Sequence, residues 1–170
     1  MTLTEAQLAD LAARLGAELL ARGWRLATAE SSTGGLIGHA ITMVPGASRY
    51  YVGGVIAYSN QAKEVTLGVP HDLLVDHGAV SAAVAGAMAE GAADRFGVEV
   101  GLAVTGVAGP DGGSEAKPVG THQLSVVVRG HPPRVERHVY AHDRDGNRTA
   151  AALDALTLAL DEVRRLPVSG

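Results

Sequence analysis

The sequence predicts an α/β fold: one three-layer α/β/α domain over residues 1–170, with a mixed sheet of about five to six strands flanked by helices. Three observations lead there. Amphipathic helical patterns occupy both ends of the chain. Short apolar runs between them, such as Leu26-Ala27, Val55-Ile56-Ala57 and Val98 to Val104, each feed a turn rich in small polar residues. Aromatic residues make up only 4% of the chain while glycine occurs 22 times, so Ala, Val and Leu must build a closely packed core with tight backbone approaches.

Taken in order, Thr4 to Arg22 repeats Leu8, Leu11, Leu15 and Leu19 at three- and four-residue steps. That is a helix, with Thr4 and Gln7 as a cap and Gly23 as its stop. Arg25 to Ala29 reads as a short strand, followed by Glu30-Ser31-Ser32-Thr33 and a second helix over Gly34 to Met43 that Pro45 ends. Tyr50 to Tyr58 is strand-like, with Gly53-Gly54 marking a bulge or a close approach. Gln61 to Thr66 and Pro70 to His77 are short helical segments. Ser81 caps a longer helix to Phe96, in which Gly91 is either a weak spot or a place of close packing. Val98 to Val104 is a central buried strand delivering Thr105-Gly106. The loop from Asp111 to Pro118 is long for a connection, which points to function. Leu124 to Val128 and Val135 to Tyr140 are antiparallel neighbours, His142 to Asp145 a charged turn, and Asn147 to Arg165 the last helix.

Composition excludes several classes of function. The net charge of -4, with no basic run, argues against a nucleic-acid partner. Without cysteine there is no disulfide, thiolate metal site or cysteine nucleophile. Glu5, Asp10 and Glu18 interrupt the leucines of the first helix, unlike a secretory signal. No apolar run approaches the ~20 residues of a membrane span. A cytoplasmic protein with no membrane partner is the expectation. No H-E-x-x-H occurs, and His138 and His142 fall on a strand and a turn, so neither a metal nor another cofactor is expected. The phosphate-binding signatures G-x-x-x-x-G-K-[ST] and G-x-G-x-x-G are also missing.

Residues 28 to 63 hold the densest set of candidate site residues. Ser31, Ser32, Ser48 and Ser59 are candidate nucleophiles, and no G-x-S-x-G elbow chooses among them. Lys63 is the available base, provided burial keeps its amine neutral; the alternative is a surface lysine. Tyr58 can relay a proton or simply pack. The turn Ser32-Thr33-Gly34-Gly35 opens a helix and either holds an anion or only caps it. Arg144 and Arg148 are cations beside a helix start, suited to clamping a phosphate or to salt-bridging their own turn.

The motifs Thr28-Ala29-Glu30-Ser31-x-Thr33-Gly34-Gly35, Tyr58-Ser59-Asn60-x-x-Lys63, Leu67-Gly68-Val69, His77-Gly78-Ala79-Val80-Ser81, Thr105-Gly106-Val107-Ala108-Gly109-Pro110 and Lys117-Pro118-Val119-Gly120-Thr121 occur in this order. Together they resemble the C-terminal domain of the CinA family, from the first helix to the last. The resemblance implies an amidohydrolase of nicotinamide mononucleotide, which releases ammonia and leaves nicotinate mononucleotide, as stand-alone domains of this family do. Longer members add a molybdopterin-binding-like N-terminal domain. The resemblance implies a serine–lysine mechanism with Ser48 as nucleophile, Lys63 as base and Tyr58 assisting; Ser31 remains an alternative nucleophile. Glu30, Ser31, Thr33, Gly34, Gly35, Thr105, Gly106, Arg144 and Arg148 would bind the substrate. Family members commonly carry cysteine at the position of Ser32 and glycine at that of His142. The competing reading is a non-catalytic regulatory module that binds a nucleotide or a partner protein. A homodimer is expected, with the alanine-rich helix 81–96 as a pairing surface.

Overall fold

A computed structural model of the chain describes residues 3–167. Helix α1 (Leu3–Arg22) leads into β1 (Leu26–Glu30), α2 (Leu36–Thr42), a 3₁₀ turn (Ala47–Arg49) and β2 (Tyr51–Ile56). Then follow α3 (Asn60–Leu67), α4 (His71–His77), α5 (Ala82–Phe96), β3 (Val100–Gly106), β4 (Thr121–Val128), β5 (Arg134–Val139) and α6 (Arg144–Arg165). The five-stranded sheet has the order β2-β1-β3-β4-β5. Strands β2, β1 and β3 run parallel, while β4 and β5 are added antiparallel. Among the described residues, no helix is long and apolar enough to cross a membrane.

Alternation along the strands divides the core by size. Leu26, Val100, Leu102, Val104, Leu124 and Val126 face α1, α2 and α6. The opposite face is lined by Ala27, Ala29 and Ala103, against Val84, Met88 and Ala92 of α5. Small residues bring α5 very close: a Cβ on Gly101 would overlap the carbonyl of Ala89, and one on Gly91 the carbonyl of Leu67. Gly91 is therefore a packing position, the second of its two sequence readings. Four alanines of α5, Ala85, Ala89, Ala92 and Ala93, are buried, while Ala82 is exposed and Ala83 and Ala87 are half-buried.

Caps fall largely where the side chains predict them. The Ser81 hydroxyl accepts the Val84 N–H at 3.3 Å and the Ser59 hydroxyl accepts that of Ala62 at 3.0 Å. At the ends, two readings change. Thr4 lies within α1, which already includes Leu3, so it is not the cap. The expected charged turn at 142–145 belongs to α6: Asp143 caps it through the Gly146 N–H at 2.8 Å, and Arg144 and Asp145 form its first turn.

The path of the chain sets the site. From β1 the chain crosses through α2 on one face to reach β2, and from β2 it crosses through α3, α4 and α5 on the other to reach β3. The carboxyl ends of three parallel strands thus diverge around β1, the place where open α/β sheets form ligand crevices.

Candidate functional site

The first polar residue beyond β1 is Ser31, whose N–H still pairs with the Val104 carbonyl at 2.9 Å and so is held in the plane of the sheet. Beyond β2, Ala57 and Tyr58 turn the chain into α3, where Lys63 sits one turn from the helix start. Its side chain runs back beneath the strand ends and is only 1% exposed. Nζ lies 3.0 Å from Ser31 Oγ, and donates to the Ala57 carbonyl at 2.9 Å and the Tyr58 carbonyl at 3.2 Å. Burial lowers the Lys63 pKa below the ordinary lysine value. A neutral amine has two N–H donors and one lone pair. With two carbonyls taking the donors, the lone pair is left for the Ser31 hydroxyl proton.

This pair opens onto a cavity of about 260 Å³. Ser31, Ser32, Tyr58, Lys63, Thr105 and Gly106 line its strand-end side, and Ala79, Val80, residues 107–109, Asp111, Gly112 and Arg144 complete it. Tyr58 is 64% exposed, and its hydroxyl accepts a bond from Arg144 at 3.2 Å. The other Arg144 nitrogen donates to the Gly109 carbonyl at 2.6 Å. The Thr105 hydroxyl donates to the Ala79 carbonyl at 2.9 Å, tying the start of the 78–81 segment to the end of β3.

Of the residues singled out in the sequence, Ser31, Lys63, Tyr58, Thr105, Gly106 and Arg144 meet in this cavity. The expected pair of Ser48 with Lys63 does not form. Ser48 lies exposed in the 3₁₀ turn, lining a separate groove with Thr42, Pro45 and Tyr51. The 3₁₀ turn enters β2 at its amino end, whereas Lys63 reaches the carboxyl end of the same strand, so the two side chains are separated along it.

Glu30, Thr33, Gly34, Gly35 and Arg148 also lie outside the cavity lining, and their contacts explain why. The buried Glu30 carboxylate accepts the Thr33 hydroxyl at 2.7 Å and the N–H groups of Gly35, Ile37 and Gly38 at 3.0, 3.1 and 2.8 Å. It is the cap of α2, which leaves those donors unavailable to a ligand. Gly34 and Gly35 have φ of 61° and 98°, conformations in which glycine is needed for the turn itself. Arg148 donates to the carbonyls of Ser32 at 3.1 Å and Thr33 at 2.9 Å. It secures the chain and does not line the cavity.

Sequence reasoning missed Asp111 and Asn147. The length of the 111–118 loop signalled the first. Nothing marked the second, a fully buried side chain that donates to the Ala108 carbonyl at 3.0 Å and accepts the His142 N–H.

Comparison with known proteins gives one consistent answer. A "CinA-like protein" of Gemmatimonas aurantiaca is 48% identical over 156 residues, covering 92% of this chain and 35% of the relative. The chain thus spans about a third of the length of the curated relatives it matches. Among solved structures, a competence/damage inducible protein from Agrobacterium tumefaciens is 38% identical with a TM-score of 0.89, covering 95% of this chain and 99% of that one. A CinA superfamily protein from Klebsiella pneumoniae is 31% identical, also at a TM-score of 0.89, with 94% and 99% covered. The profile of the CinA C-terminal domain matches residues 8–163, and the chain belongs to that family.

Proposed function

We propose that the chain hydrolyses the carboxamide of nicotinamide mononucleotide to nicotinate mononucleotide and ammonia, with Ser31 as nucleophile and Lys63 as its base. The observation that carries this reading is the 3.0 Å approach of a buried lysine amine to Ser31 Oγ. As Oγ bonds to the carboxamide carbon, its proton passes to Nζ. The tetrahedral adduct then loses its C–N bond, and Nζ returns the proton to the departing nitrogen as ammonia leaves. Water attacks the resulting ester, giving a proton to Nζ. The carbon–Oγ bond breaks, and the same proton restores the Ser31 hydroxyl. Lys63 thus alternates between an amine with two donors and an ammonium with three, and Ala57, Tyr58 and Ser31 supply the matching oxygens. Arg144, exposed at the rim and bonded among the described residues only to a carbonyl and the Tyr58 hydroxyl, is suited to the phosphate.

The test is ammonia release from this nucleotide by pure protein in the presence of a chelator. Ser31→Ala is expected to lose at least about a thousandfold in kcat, in line with removal of a catalytic nucleophile, and Ser48→Ala to stay near wild type. A regulatory binding module, the reading that the competence and damage names of the relatives invite, predicts instead binding without turnover and indifference to both changes.

A further inference from the structure

Acyl transfer requires more than a nucleophile and base: the carbonyl oxygen becomes an anion in the tetrahedral adduct and needs fixed donors. Several donors around the cavity are already engaged. The Thr105 hydroxyl is given to Ala79, the Val107 N–H pairs with the Thr121 carbonyl at 2.8 Å, and Ser31's own N–H pairs with Val104. Among the described residues the N–H groups of Ala79, Val80, Ala108, Gly109 and Ser32 meet no acceptor, and that of Ser32 is set apart because it belongs to the residue directly after the nucleophile.

Its direction follows from the peptide planes on either side. The Ser31 carbonyl accepts the Gly34 N–H at 3.2 Å and so points into the turn. In a trans peptide the next N–H points the opposite way. The following peptide is fixed by Arg148, which takes both the Ser32 and Thr33 carbonyls. Asp145 in turn steadies the guanidinium at 3.3 Å.

We infer that the Ser32 backbone N–H is the oxyanion donor and that Arg148, which never touches substrate, is the positioning residue that holds it toward the cavity. This deepens the hydrolase reading and rests on it. A backbone donor is indifferent to the side chain at position 32.

Arg148→Met and Arg148→Lys, assayed for ammonia release from nicotinamide mononucleotide, test the assignment. Removing one oxyanion donor typically costs about 10²–10³ in kcat. Arg148→Met is therefore expected to lose about a hundredfold in kcat with KM changed less than about threefold. Arg148→Lys recovers part of the loss by holding one carbonyl, and the pH midpoint stays that of wild type because Lys63 keeps its surroundings. A rise in KM at unchanged kcat would make Arg148 a substrate ligand and overturn the inference, as would wild-type rates. Should both variants unfold, the unaltered protein decides. With 3-pyridineboronic acid bonded to Ser31, the Ser32 amide proton is expected to move downfield, and a shift confined to the Ala108 and Gly109 amides refutes the assignment. Absence of ammonia release by wild type, or its survival in Ser31→Ala, would instead sink the hydrolase reading itself.

Discussion

At the scale of single residues, Lys63 is the group on which the chemistry turns. Its pKa is lowered because burial penalises the ammonium, and two backbone carbonyls only partly offset that penalty. Activity should therefore rise with pH as the amine loses its proton, with a midpoint below that of an ordinary lysine; a pH–rate profile in kcat/KM measures it. Lys63→Arg should be as inactive as Lys63→Met, since a guanidinium does not deprotonate in this range. The sequence could nominate Lys63 as base and both Ser31 and Ser48 as its partner, but could not choose between the two serines. The family resemblance favoured Ser48, whereas parallel pairing of β1 with β2 lays the end of one strand beside the end of the other. That neighbour relation is a property of the sheet and is not encoded locally.

At the scale of elements, α6 does more than cover the sheet. Its first turn and the residue that follows fasten two separate walls of the cavity: Arg144 and Asn147 hold the 108–109 carbonyls, and Arg148 holds those of 32–33. Loss of Arg144 should raise KM for the nucleotide more than it lowers kcat if its free face binds phosphate, a split that steady-state kinetics with Arg144→Ala will show. Helix α5 provides a second test, in which two effects oppose. Replacing Gly91 by alanine gains about 1 kcal/mol of helix propensity. The added methyl overlaps the Leu67 carbonyl, which belongs to backbone and cannot swing aside, and such overpacking costs about 1–3 kcal/mol. A net loss in denaturant midpoint is expected. Most helices were legible because their apolar repeats and caps are local; the start of α6 was not, because a charged Asp-Arg-Asp run looks equally like a solvated turn.

Across the whole molecule, the three-layer class could be read from the order of patterns, but the strand order could not. What the sequence did carry is the disparity between its large and small apolar residues, now seen as the two faces of one sheet. A buried lysine also leaves a mark on global stability. Its folded-state pKa is lowered, so between that value and the ordinary 10.5 the unfolded chain binds more protons than the native one, and stability rises with pH over that window. Below the window the cost of the buried amine is fully present. Lys63→Met removes it, so the variant should melt above wild type near neutrality and the gap should narrow as pH climbs toward 10.5. Parallel thermal melts across that range check the sign.

Two of the three oxygens around that amine are main-chain atoms, those of Ala57 and Tyr58. Evolutionary drift at either position can exchange the side chain yet cannot delete the partner. Point changes there leave the base tuned, while inserting or deleting a single residue between 58 and 63 rotates the lysine off its helical face and detunes it at once. Lineages that retain the chemistry should therefore tolerate varied residues at 57 and hold the length of this short segment fixed.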